Sequence, residues 1–176
     1  MMNVYLIRHT SVAVPQGTCY GQSDVPVKDS FEEEATAVLR QIKDIRFDKV
    51  YCSPLSRCVK LAAYCGYPNA EREERIKEID FGDWEMKKYD EIEDPRLQEW
   101  YADYIRVRAT NGESFIDQYL RVSHFLNELR RKDYRNVALF THGGVLIDGQ
   151  VYARLFTFEE AYRYLPAYGK VVKITI

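Results

Sequence analysis

The sequence predicts an α/β fold with a mostly parallel central sheet. Short apolar runs alternate along the chain with amphipathic segments of helical period, the pattern of strands joined by crossover helices. Three of those runs also end in polar or charged residues: Arg8 and His9, Ser53 to Arg57, and Thr141 and His142. In open sheets of this kind the carboxyl ends of the strands form the edge where ligands bind.

The first run, residues 3–9 (NVYLIRH), suits a buried strand. Residues 31–45 read as a helix. Phe31, Ala35, Val38, Ile42 and Ile45 step by four and three, and Glu32, Glu33 and Glu34 occupy the first turn, where the helix dipole favours acids. Residues 48–53 (DKVYCS) form a second strand, and Ser53-Pro54 opens a helix with Ser as cap and Pro at the first helical position. Arg57 then lies about one turn into that helix, tilted back toward the strand ends.

Residues 75–79 alternate like a short strand, and residues 95–108 form an amphipathic, aromatic segment with Leu97, Trp100, Tyr101, Tyr104 and Ile105. A longer helix starts at Ser114, with a stripe of Phe115, Tyr119, Val122, Leu126 and Leu129. Residues 136–142 (NVALFTH) are the third clear strand. Gly143-Gly144 leads into a helix carrying Val145, Leu146, Val151, Leu155 and Phe156. Residues 170–176 (KVVKITI) alternate like a final edge strand.

The bulk properties narrow the function. At 176 residues, with 46% hydrophobic and 30% charged, the chain suits one domain, residues 1–176, whose core needs no staples. A net charge of −2 offers no basic face for nucleic acid, although a few local cations suffice for a small anion. The opening MMNVYLIRHT lacks a charged n-region, and its apolar run is too short to span a membrane, so a cytoplasmic location is expected. Cys19, Cys52, Cys58 and Cys65 show neither a C-x-x-C pair nor zinc spacing and read as free thiols in a reducing compartment. No metal site is expected.

If the first and third strands are neighbours, His9 and His142 face one crevice, together with Arg8 and Arg57. Guanidiniums, imidazoles and helix N-termini make a receptacle for a tetrahedral dianion. A phosphate site needs a nucleophile, and the chain has no G-x-x-x-x-G-K-[ST] or C-x-x-x-x-x-R loop. A neutral imidazole can serve, and surrounding cations favour its neutral form. A carboxyl must protonate the leaving group, and residues 78–85 (EIDFGDWE) supply four candidates: Glu78, Asp80, Asp83 and Glu85.

These motifs, in this order, resemble the histidine phosphatase superfamily, also called phosphoglycerate mutase-like. They are Arg8-His9, residues 53–58 (SPLSRC), residues 78–85, residues 111–114 (NGES) and residues 141–144 (THGG). The resemblance implies a three-layer α/β/α sandwich and a metal-independent, cofactor-free phosphomonoesterase acting on a small-molecule phosphate ester. It implies His9 as the phosphorylated nucleophile, with Arg8, Arg57 and His142 around the phosphoryl group. Glu78 would be the general acid and base.

The chain also departs from the family pattern. The usual R-H-G-E-[ST] start reads Arg8-His9-Thr10-Ser11-Val12, and Pro15 stands near the place of a frequent asparagine. Gly21 and Gln22, in the loop CYGQSDVP, are expected to offer replacement donors, and Gly143 a backbone contact. R-H-T-x-V with C-Y-G-Q-x-D-V-P, F-G-D-W-E-M and T-N-G-E-S-F is similar to the α-ribazole phosphatases, which remove a 5′-phosphate in cobalamin assembly. Other readings are a phosphatase for sugar phosphates or other small esters, a phosphoglycerate mutase, or a non-catalytic phosphoanion-binding module. The chain is too short for the insertions expected of a mutase.

Three features have a plainer reading beside the functional one. His124 lies opposite the apolar stripe of its helix and reads as a surface residue. Residues 111–114 are a turn with a Ser114 cap, or Glu113 supports the site from behind. Trp100, Tyr101 and Tyr104 are core, or a lid over the substrate.

Overall fold

A computed structural model describes residues 1–176. Its five strands are β1 (Asn3–Arg8), β2 (Lys49–Cys52), β3 (Glu71–Arg72), β4 (Asn136–Thr141) and β5 (Val171–Thr175). Six α-helices accompany them: α1 (Phe31–Ile42), α2 (Ser56–Tyr64), α3 (Arg96–Ala102), α4 (Phe115–Leu129), α5 (Gly143–Tyr152) and α6 (Phe158–Ala161). The sheet order is β3-β2-β4-β1-β5. All pairs are parallel except β1 with β5, which is antiparallel and forms one edge.

Strand alternation builds the layers. Val4, Leu6, Val137 and Leu139 point to one face and pack against Val122, Leu126, Val145 and Leu146 of α4 and α5. Ile7, Ala138, Phe140 and Cys52 meet the other face, covered by Ala35 and Val38 of α1 and by Cys58 and Leu61 of α2. This is the expected three-layer α/β/α arrangement. A smaller cluster of Cys19, Ile79, Phe81, Trp84, Leu97 and Phe115 supports residues 78–85. No helix is long and apolar enough to cross a membrane, and all four cysteines are buried free thiols.

Several local expectations are corrected. The chain bends at Pro54 and Leu55, and α2 begins at Ser56, so neither Ser53 nor Pro54 starts it. The cap comes from a distant loop: Asp24 accepts from the Ser56 N–H at 2.9 Å. Arg57 is therefore the second helical residue, closer to the strand ends than one full turn. Residues 75–79 are not a strand. Glu74–Ile76 is a 3-10 turn, because Arg121 takes the carbonyls of Arg75 (2.8 Å), Lys77 (2.6 Å) and Glu78 (2.9 Å) that a neighbouring strand would have used. Within the amphipathic segment 95–108 only Arg96–Ala102 is helical, and Asp103 leaves helical geometry. Helix α5 stops at Tyr152, and a positive φ at Arg154 turns the chain before Leu155 and Phe156.

Candidate active site

Register brings the two histidines together. Arg8 pairs with Thr141 across β1 and β4, so His9 and His142 leave the sheet side by side. Their ring centroids are 5.2 Å apart at 65°. Cys52 pairs with Phe140, which brings Ser53 alongside the same edge.

His9 is 2% exposed. Its Nδ1 lies 2.8 Å from the Thr10 carbonyl. A carbonyl only accepts, so Nδ1 carries the proton and Nε2 presents a lone pair. Arg57 Nε donates to that Nε2 at 3.3 Å. Burial, then the nearby Arg57 and Arg8 charges, pull the His9 pKa down to about 3, while the Thr10 hydrogen bond opposes them. His142 is fully buried and held well below the usual histidine range by burial first, then by Arg57. Its Nε2 lies 2.8 Å from Ser53 Oγ.

Both arginines are anchored. Arg57, 1% exposed, donates to the carbonyls of Ser23 (2.8 Å) and Gly21 (2.5 Å). Arg8 donates from Nη1 to the Pro166 carbonyl and lies 4.1 Å over the Tyr168 ring, while its buried Nε has no partner. A buried guanidinium donor left open fits an arriving anion oxygen. Gly143 packs against that guanidinium; a Cβ there would sit 2.9 Å from Arg8 Nε.

Of the four candidate acids, Glu78 alone lines the cleft that contains His9. Its Oε1 accepts from Gln118 Nε2 at 2.7 Å and from its neighbour Ile79 N–H at 3.1 Å, and its Oε2 from Gly144 N–H at 3.2 Å. A Cβ at Gly144 would push aside the ends of both Glu78 and Gln118. Glu85 is engaged elsewhere: it accepts from the N–H groups of Gly21, Gln22 and Phe81 and from Ser23 Oγ. Asp83 is exposed and bound by Asn111, and Asp80 holds the Gly82 N–H.

The expectation that Gly21 and Gln22 offer donors is corrected for their backbone N–H groups, but not for the Gln22 side-chain amide, which Glu85 does not engage. Glu85 takes both N–H groups, and Gly21 serves instead through its carbonyl on Arg57 and through its lack of a Cβ, which would overlap the Ile79 carbonyl. Glu113 both ends the turn and braces the site, since it pairs with Arg121 at 2.8 Å and accepts from Asp80 N–H at 3.0 Å. Ser114 caps α4 in a capping box with Asp117. His124 is exposed, as expected.

The cleft has a volume of about 320 Å³ and is walled by Tyr20, Phe81, Tyr89, Phe115, Tyr162 and Tyr168. Trp100 and Tyr104 are not among these walls; Trp100 packs behind Phe81 and Tyr89. The wall tyrosines were not singled out from sequence, where fourteen tyrosines carry no obvious pattern. Gln118 was also missed, although it is a lone polar residue on the buried face of α4 with Phe115 and Val122. Asp148, one turn after Gly144 on α5, is fully buried and neither carboxyl oxygen has a partner. Burial first, then Glu78, push its pKa well above the usual aspartate value.

Comparison with known proteins agrees with this geometry. The adenosylcobalamin/alpha-ribazole phosphatase of Escherichia coli (strain K12) is 30% identical over 153 residues, covering 82% of this chain and 75% of the relative. Phosphoserine phosphatase 1 of Hydrogenobacter thermophilus is 29% identical over 154 residues, covering 81% and 71%. The crystal structure of the alpha-ribazole phosphatase from Shigella flexneri superposes with a TM-score of 0.87 at 28% identity, covering 99% of this chain and 91% of that one. A family model for the histidine phosphatase superfamily (branch 1) matches residues 4–166, and the chain belongs to that family.

Proposed function

We propose that this chain is a phosphomonoesterase that works through a phosphohistidine on His9, with an ester bearing a large aromatic group as its substrate. The observation that carries this reading is the state of His9. Its proton is committed to Thr10 O, and its Nε2 lone pair faces the cleft among Arg8, Arg57 and His142.

Nε2 attacks phosphorus, the ester P–O bond breaks, and Glu78 gives its proton to the departing alkoxide. Arg57 exchanges its long bond to Nε2 for a phosphate oxygen, a stronger charge-assisted contact. Arg8 Nε supplies a second donor. The Ser53 hydroxyl donates a hydrogen bond to His142 Nε2, the tautomer in which the imidazole proton sits on Nδ1 as a further donor. These groups stabilise charge on the equatorial oxygens. Glu78 then takes a proton from water, which attacks phosphorus, breaks the P–N bond and releases orthophosphate.

The aromatic walls favour a planar, apolar leaving group over a sugar or serine. Together with the relatives' names, this points to the 5′-phosphate of α-ribazole phosphate, or its corrinoid adduct, in cobalamin biosynthesis. The test is kcat/KM across α-ribazole 5′-phosphate, sugar phosphates, phosphoserine and phosphoglycerate. The account expects at least a tenfold preference for the first, lost in Phe81→Ala. A flat profile would leave a general small-ester phosphatase. Phosphate binding without any turnover would leave a binding module.

A further inference from the structure

We propose that Tyr20 and Tyr168 form a latch that holds the two phosphate-binding guanidiniums in register. The role rests on the phosphate-site reading above and deepens it. Each arginine is gripped twice by one loop. Arg57 donates to the carbonyls of Gly21 and Ser23, and the Tyr20 ring of that same loop lies 5.6 Å from its guanidinium carbon. Arg8 donates to the carbonyl of Pro166, and the Tyr168 ring of that same turn lies 4.1 Å from its guanidinium carbon. The two tyrosine hydroxyls then meet at 2.9 Å and join loops 148 residues apart in sequence.

The turn that carries Tyr168 is tied to the nucleophile's own backbone. Gly169 N–H donates to the His9 carbonyl at 3.0 Å, and Arg8 N–H donates to the Lys170 carbonyl at 3.0 Å. The Tyr168 ring centroid lies 5.7 Å from that of His9, so the latch crosses beside the reacting nitrogen. A free arginine side chain loses considerable rotamer freedom when it binds an anion. A cation–π face and a carbonyl grip remove that loss in advance. Tyr168 is 39% exposed at the cleft, so its hydroxyl is not needed to fill the core.

The test uses Tyr20→Phe, Tyr168→Phe, the double variant and Tyr168→Leu in the intact chain. The readouts are the Kd for inorganic phosphate, kcat and KM on an aryl phosphate, and Tm. Each Phe variant should weaken phosphate binding about two- to tenfold, the range of one net hydrogen bond. The double variant should be no weaker than either single, because both changes break the same bond. kcat/KM should fall with Tm held, and Tyr168→Leu should weaken binding further. Additive losses, or wild-type phosphate affinity in both Phe variants, would overturn the latch. Phosphate affinity reads the latch without turnover, so a chain that binds phosphate but hydrolyses nothing would fail the phosphatase reading alone.

Discussion

Replacing Asp148 with Asn should stabilise the protein, and increasingly so as pH rises. Asp148 is fully buried on α5 with both oxygens unpartnered. The charged groups that act on it are Glu78 and Glu113, which disfavour its ionisation, and Arg121, which favours it. Burial dominates, so the folded state keeps the proton while the unfolded chain releases it near 3.8. The folded pKa is raised, so the native state binds more protons than the unfolded one. Stability therefore falls with rising pH for as long as Asp148 stays protonated. The cost is about 1.4 kcal/mol per pH unit over the range in which the folded state keeps that proton. Asn keeps the shape and a similar desolvation cost but does not titrate, so only the pH-dependent part separates the two proteins. Urea unfolding of both at pH 4.5, 5.5 and 6.5 measures this directly. Stability curves that run parallel across that range would refute the argument.

Other perturbations follow from the same geometry. The His9 and His142 pKa values are both depressed, so the unfolded state takes up protons first. Stability should then fall as pH drops from 6.5 toward 3 by about 1.4 kcal/mol per unit from His9, with His142 acting in the same direction, which the steepened acid limb of urea titrations in Asp148→Asn would reveal. NMR titration of His9 in the free enzyme should show no inflection between pH 5 and 8. Arg121→Leu removes the donor to three backbone carbonyls behind Glu78 and should cost about 2–4 kcal/mol by denaturation and lower kcat. Gly21→Ala should raise KM, since the new methyl displaces the loop that anchors Arg57, as steady-state kinetics would show.

Much of the site was legible because its parts sit directly after apolar strands. His9 and His142 needed only parallel pairing of β1 with β4 to become neighbours, and the register supplies it. What failed were features decided by distant side chains. Asp24 caps α2 from another loop, so the local Ser53-Pro54 signal was misleading. Arg121 satisfies the carbonyls of Arg75, Lys77 and Glu78, and Thr141 that of Ile76, so an alternating stretch had no need to pair as a strand. Glu85 captured the Gly21 and Gln22 N–H groups from 64 and 63 residues away. The aromatic wall was hidden for a similar reason. Tyr20, Phe81, Phe115 and the Tyr162–Tyr168 stretch are far apart in sequence and converge only in three dimensions.

The most direct measurement is rapid quench into base during turnover, followed by peptide mapping. The account predicts one phosphoryl group on the His9 peptide, stable in alkali, lost on acidification and absent in His9→Ala. An acid-stable phosphoester on a serine, or turnover that survives His9→Ala, would contradict it.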